Sequence, residues 1–312
     1  MTNGEDSPGP VAAIDCGTNS TRLLIADTDG KTLERVNRIT RLGAGVDRDG
    51  RLDPAAIART VKVLGVYRGL LDRHRVRAMR VTATSAARDA ANRDEFFDAA
   101  ESALGARPEL LDGSEEGRLS FAGALLGLGA VQGPVLVVDI GGGSTELIVG
   151  SDVHAGPTGV YSMDVGCVRL TERFLVSDPP TADELEAAKL YVHRQIDAAL
   201  LEVPQLSQAN AMIGLAGTVA CMAATDQGID GTERHRLHHY ALSRSAVERI
   251  RSTLAAMTAD QRRSVPGVED GRADVIVGGA VVLGEVMAHF GFDVCLTSEA
   301  DILDGLAASI SR

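Results

Sequence analysis

Tryptophan is absent from the 312 residues, and the aromatic residues together make up only 3%. So thin an aromatic complement argues against reading nucleic-acid bases by stacking. Basic residues are the minority: 31 Lys+Arg stand against 43 Asp+Glu, a formal charge of −12. That balance removes the broad basic face that sequence-independent binding to DNA or RNA requires. An anionic substrate stays open, because a pocket can be locally basic or lined with backbone N–H groups. Cysteine is scarce, and Cys16, Cys167, Cys221 and Cys295 lie far apart with no CxxC spacing. They read as reduced core thiols of a cytoplasmic protein, against both a disulfide framework and a zinc site. Long uninterrupted apolar runs are missing too. The stretch from Ala273 to Phe290 is broken by Asp274, Glu285 and Gly278-Gly279. A bilayer span needs about 20 mostly apolar residues, so this segment reads as a buried helix and no membrane partner is expected. Residues 1–10 are polar and lack a basic region followed by an apolar core, so they read as a disordered tail.

What is present is a globular composition, 45% hydrophobic and 24% charged, with 34 glycines and a length suited to about two domains. The glycines suit a backbone that approaches something closely at several points. Two segments repeat: Asp15, Gly17, Ser20, Thr21 and Leu23 recur at the same offsets as Asp139, Gly141, Ser144, Thr145 and Leu147. Each copy is a β-branched apolar run, a small glycine-containing turn and a second apolar run, a strand–turn–strand pattern. Such turns bend sharply and present N–H groups to an anion. Ordinary hairpins would use similar residues, but an acid at the same place in both copies favours a duplicated domain.

Between and after the repeats, helix and strand patterns alternate. Asp53-Pro54 is a helix start, followed by Ile57, Val61, Leu64 and Leu71 at helical spacing. Val81–Thr84 reads as a strand running into a turn. Thr181 and Glu184 form a capping box ahead of the apolar face Leu185, Ala188, Val192, Ile196 and Ala199. The architecture is therefore α/β, each sheet covered by helices. The domain boundary is expected near Ala130, giving domains over 11–130 and 131–312. The histidines of HRLHH, His235, His238 and His239, read as a surface loop before a strand at Tyr240–Leu242, since no further Cys or His stands nearby at zinc spacing.

The segments DIGGGSTE at 139–146 and DGSEEGR at 112–118 resemble the exopolyphosphatase and guanosine-pentaphosphate phosphatase family. Further matches are DCGTNS at 15–20, ATSAARDAANR at 83–93, VGCV at 165–168, GLAGT at 214–218 and SEADILDG at 298–305. They follow the family order along nearly the whole chain. Gly117 stands where many relatives have alanine, and Ala216 where many have serine or glycine. The resemblance implies two duplicated actin-like domains of ribonuclease H type with a cleft between them, and a C-terminal helix packing back on the first. It also implies Mg²⁺ (or Mn²⁺ in its place), inorganic polyphosphate as substrate and a homodimer. Longer relatives add C-terminal helical domains. Without them, the chain is expected to be the catalytic core and to prefer shorter polyphosphates.

The family releases orthophosphate from a terminal phosphoanhydride. Gly141, Gly142, Gly143 and Ser144 would bind phosphate oxygens through backbone N–H groups. Thr18, Asn19 and Ser20 occupy the corresponding turn and should face the same cleft. Asp139 and Glu146 are hard oxygen ligands suited to Mg²⁺, though Asp139 could equally hold its own turn. By resemblance, Glu116 is the general base, and a carboxylate beside phosphates can be raised in pKa enough to take a proton near neutrality. Glu115 and Glu116 also suit the first turn of a helix. Arg88 would clamp a phosphate with its planar guanidinium; an ion pair with Asp89 or Asp94 is the alternative. Hydrolysis of guanosine pentaphosphate, a sugar or acetate kinase of the same fold, and a non-catalytic polyphosphate-binding or actin-like assembly module are the competing readings.

Overall fold

A computed structural model describes residues 9–126, 133–152, 155–230 and 233–310. The chain forms two compact units: one holds the chain up to Asp112 together with the segment from Ile302, the other Gly113–Asp301. The boundary expected near Ala130 falls outside the described residues, as do the first eight residues of the expected tail. The division comes earlier, between Asp112 and Gly113, because the helix that begins there packs on the second sheet.

Unit 1 opens with β1 (Val11–Cys16), β2 (Ser20–Ala26) and β3 (Thr32–Ile39). It continues through α1 (Val46–Asp49), α2 (Pro54–His74), β4 (Ala78–Ala83), α3 (Ser85–Asp89), α4 (Arg93–Leu104) and β5 (Glu109–Leu110). Its sheet order is β3-β2-β1-β4-β5. The first three strands are antiparallel, and β4 and β5 run parallel to β1. Ala12, Ile14 and Cys16 alternate along β1 onto a core with Leu64 and Tyr67 of α2 and Phe96 of α4, as a period of two requires. Asp53 caps α2 by accepting from the N–H groups of Ala55 and Ala56, with Pro54 at the first helical position.

Unit 2 begins with α5 (Gly113–Leu125), β6 (Val135–Ile140), β7 (Thr145–Gly150), β8 (Gly159–Met163), α6 (Cys167–Phe174) and α7 (Ala182–Glu202). Then come β9 (Ala211–Leu215), α8 (Ala216–Gln227), α9 (Arg234–Leu237), β10 (Ala241–Ser243), α10 (Arg244–Ala255), α11 (Ala259–Arg262), α12 (Ile276–His289) and β11 (Val294–Thr297). The sheet order β8-β7-β6-β9-β11-β10 repeats that of unit 1 and adds one antiparallel edge strand. The capping box at Thr181–Glu184 is formed in full. The apolar stretch after Ala273 forms α12, almost wholly buried, and among the described residues no helix is long and apolar enough to cross a membrane. HRLHH departs from the expected loop: His235 lies in one helical turn, and the Nδ1 of His238 accepts from the N–H of Glu299.

The closing helix α13 (Ile302–Ile310) returns to unit 1, where it packs on β1, β2 and β4. Two long side chains anchor it: Arg35 of β3 binds Asp304 at 2.9 Å, and Arg80 of β4 donates to the Ser309 hydroxyl at 2.8 Å. The capping arrangement at Asp53 gives a direct test of local stability. Asp53→Ala should destabilise the protein by about 1 kcal/mol, read as a lower denaturation midpoint with an unchanged slope.

Candidate active site

The alternation of strands in unit 2 decides where its acids point. Val135 and Val137 of β6 and Ile148 of β7 pack with Phe121 and Ala124 of α5. Asp139 is the next residue on the β6 stripe, and Glu146 the preceding one on the β7 stripe, so both face the side that α5 covers. They are direct cross-strand partners in the β6–β7 ladder. Helix α5 lies close here because of two glycines: a Cβ on Gly117 would come within 2.6 Å of Val160, and one on Gly113 within 2.4 Å of Ser162. The helix brings Glu116 and, one turn on, Ser120. Glu116, Asp139 and Glu146 are 9%, 6% and 1% exposed.

Three buried acids in one place need compensation. Ser120 Oγ donates to Asp139 Oδ2 at 2.7 Å, and Ser162 Oγ donates to Glu146 Oε1 at 2.8 Å. These bonds do not cancel the charge. Burial, reinforced by the negative charges of Glu116 and Asp139, holds the Glu146 carboxyl well above the usual carboxylate range, with Ser162 and Ser144 pulling the other way. Among the described residues no three His, Cys, Asp or Glu side chains are arranged as a ready metal cage.

Gly141–Ser144 is a tight turn closed by the Gly141 N–H donating to the Ser144 carbonyl at 3.0 Å. Its carbonyls are held from behind by the start of α6: Cys167 N–H donates to Gly141 O at 3.0 Å, and Val168 N–H to Gly142 O at 2.9 Å. Gly166 permits that approach, since a Cβ there would sit 2.4 Å from the carbonyl carbon and oxygen of Gly142. Among the described residues the N–H groups of Gly142 and Gly143 make no backbone hydrogen bond.

Unit 1 carries the same turn, with the Gly17 N–H donating to Ser20 O at 3.0 Å. Thr18 and Asn19 are buried. Their carbonyls are engaged by Gly43 on one side and by Thr40 and Arg41 on the other. The Asn19 Nδ2 is buried with no hydrogen-bond partner among the described residues. The register pairs Asp15 with Arg22, where unit 2 pairs Asp139 with Glu146. Arg22 Nη2 meets Asp15 Oδ2 at 2.7 Å, so this copy neutralises itself. Arg88 donates through Nη1 to the Leu111 carbonyl at 2.9 Å, at the end of unit 1.

Glu116, Asp139, Glu146 and the Gly141–Ser144 turn therefore converge in unit 2, while Thr18, Asn19, Ser20 and Arg88 belong to unit 1. Sequence reasoning missed Ser120, Ser162, Gly166 and Arg22. Ser120 had a signal, four residues beyond Glu116 on one helix face, and Arg22 stands at the repeat position of Glu146. Ser162 had none, and Gly166 stood in the VGCV segment with nothing there to mark its close approach to Gly142. All four cysteines are buried and free, and burial pushes the Cys221 and Cys295 thiols up to about 12, which suits core packing and not nucleophilic chemistry.

Two units with one strand order, each with a glycine turn after its first strand, define an α/β protein of the actin-like fold. The chain belongs to the Ppx/GppA phosphatase family, whose model matches residues 24–310. Exopolyphosphatase 2 of Mycobacterium tuberculosis is 44% identical over 96% of this chain and 98% of its own length. The crystal structure of an exopolyphosphatase-like protein superposes with a TM-score of 0.93 at 37% identity, covering 97% of this chain and 99% of that one. A Ppx/GppA family member from Aquifex aeolicus gives 0.79 at 30% identity, covering 97% of both chains.

Two substitutions test the geometry. Gly166→Ala should force the turn away from α6, at a cost of about 1–3 kcal/mol, read by chemical denaturation. Glu146 holds its proton more tightly folded than unfolded. Its penalty is therefore absent below the ordinary carboxylate pKa and grows as pH rises through the raised one. Glu146→Gln should raise the melting temperature in cation-free buffer more at pH 8 than at pH 5, by about 2–4 °C for each kcal/mol relieved.

Proposed function

We propose that the chain is an exopolyphosphatase that releases terminal orthophosphate from inorganic polyphosphate. The observation that carries this reading is the trio Glu116, Asp139 and Glu146 beside a turn that offers backbone N–H groups. The 44% identity to an exopolyphosphatase over nearly both full lengths supports the choice of substrate. Glu116 takes a proton from water as its oxygen attacks the terminal phosphorus, the bridging P–O bond breaks, and the shortened chain leaves with the bridging oxygen. Gly142, Gly143 and Ser144 hold the oxygens that gain charge, through fixed donors that need no reorganisation. Thr18, Asn19, Ser20 and Arg88 bind phosphate from unit 1, and the buried, unpartnered Nδ2 of Asn19 supports an anion at that turn.

The donor set fits a divalent cation. Asp139 and Glu146 are adjacent hard oxygen donors, each with one oxygen held by a serine hydroxyl. Mg²⁺ is characteristically bound by one or two carboxylates and completes its shell with water and phosphate oxygens, so it needs no three-residue cage. When bound there it would neutralise phosphate and carboxylate charge together.

Phosphate release from polyphosphate and from guanosine pentaphosphate, measured side by side with and without Mg²⁺, tests the substrate. Glu116→Ala tests the base. Release should fall by about 10²–10⁴-fold, with melting temperature and polyphosphate binding retained. Undiminished turnover in that variant would falsify the assignment.

A further inference from the structure

Arg262, the last residue of α11, is a cation held almost wholly out of solvent, only 3% exposed. Its Nε donates to the Leu254 carbonyl at 2.8 Å and its Nη1 to the Ala273 carbonyl at 3.1 Å. These two bonds tie the end of α10 to the segment before α12 and fix the plane of the guanidinium. The third nitrogen, Nη2, is buried and makes no hydrogen bond among the described residues. Asp178 Oδ1 lies 3.8 Å from it, beyond hydrogen-bond reach, and both Asp178 oxygens already accept from the Ala259 N–H. Burial holds the guanidinium below its ordinary pKa in spite of Asp178 and Asp274 nearby. A charge that stays on at neutral pH is therefore only partly compensated.

Arg262 and Asp178 both line a cavity of about 180 Å³ between the end of α6, the segment that follows it, α11 and the start of α12. Nη2, the nitrogen that faces Asp178, is thus on the cavity side. The first N–H groups of α6 hold the Gly141–Ser144 turn, whereas Thr171 and Leu175, at its other end, line this cavity. The volume lies below the roughly 300–1,000 Å³ of drug-sized sites, which limits the occupant to a small molecule. The polar wall is one-sided. Thr171 Oγ1 gives its proton to the Cys167 carbonyl at 2.8 Å, and Ser177 Oγ gives its own to Glu184 Oε1 at 2.9 Å. Both hydroxyl oxygens can then only accept, as do the carboxylates of Asp178 and Asp274. Among the lining side chains, Arg262 is the donor set against these acceptors, and Leu175, Val176 and Val277 supply an apolar wall.

We infer that this cavity binds a small aliphatic α-amino acid. Its carboxylate accepts from Arg262 Nη2, its ammonium donates to the oxygens around Asp178 and Asp274, and its side chain lies against Leu175, Val176 and Val277. A carboxylate without the ammonium would meet two acids. An amine without the carboxylate would leave Nη2 buried and unserved, a costly state for a donor. A molecule with both charges on one carbon answers both walls. The inference is independent of the phosphatase reading.

Isothermal titration calorimetry of the intact chain with L-valine, isovalerate and isobutylamine tests it, the last two being valine without its amine and without its carboxylate. L-Valine should bind once per chain with a dissociation constant of about 0.1–1 mM, and should raise the melting temperature to a plateau. Isovalerate and isobutylamine should each bind at least about tenfold more weakly. Ala259→Leu fills the cavity from the head of α11 and keeps the N–H that Asp178 accepts, so it should abolish L-valine binding at an unchanged melting temperature. Arg262→Met also cuts the two carbonyl ties and should lower that temperature, which makes Ala259→Leu the deciding variant. No binding of L-valine up to about 10 mM, equal affinity for isovalerate or isobutylamine, or undiminished binding by Ala259→Leu would overturn the inference.

Discussion

Two carboxylates placed opposite each other on a covered sheet face are the constraint around which unit 2 is organised. Asp139 and Glu146 are cross-strand neighbours, where like charges repel, and both are almost fully buried. A serine from α5 and another from β8 each take one oxygen. A third acid is added from α5, and Glu146 is left with a raised pKa. A fold selected only for stability would replace this arrangement. Under the function proposed above, cation and phosphate would supply the charge that these buried acids leave unbalanced.

Unit 1 provides the internal comparison. It has the same strand order and the same hydrogen bond closing its turn, but Arg22 stands where unit 2 has Glu146. The ion pair with Asp15, made through Oδ2, compensates the charge of the acid within the hairpin. One substitution of charge at one repeat position thus separates a self-neutralised hairpin from an unbalanced one. The helices that cover the two faces have different origins: α5 follows the crossing at Asp112–Gly113, while α13 reaches unit 1 from the far end of the chain.

Close backbone packing explains how the acids and the turn are held. Gly113 and Gly117 bring α5 against β7 and β8, and Gly166 brings α6 against the back of the Gly141–Ser144 turn. The first N–H groups of α6 bind that turn's carbonyls, which fixes the turn without occupying the N–H groups of Gly142 and Gly143. The requirement at these glycines is space for an approaching chain, since none of the three has a positive φ.

Features that depend on neighbours in sequence were legible from the residues alone. The caps at Asp53 and Thr181, the two hairpins and the buried helix after Ala273 rest on local spacing, whereas Glu116 was singled out only by the resemblance to the family. The repeat register even contained the contrast between Arg22 and Glu146. Tertiary structure alone decided that α5 belongs to unit 2, that α13 belongs to unit 1, and that Ser162 and Gly166 complete the surroundings of the acids and turn. The reason is physical: capping, alternation and turn closure act within a few residues, whereas burial of charge and close approach of backbone are set by segments brought together only when the sheets acquire their helices.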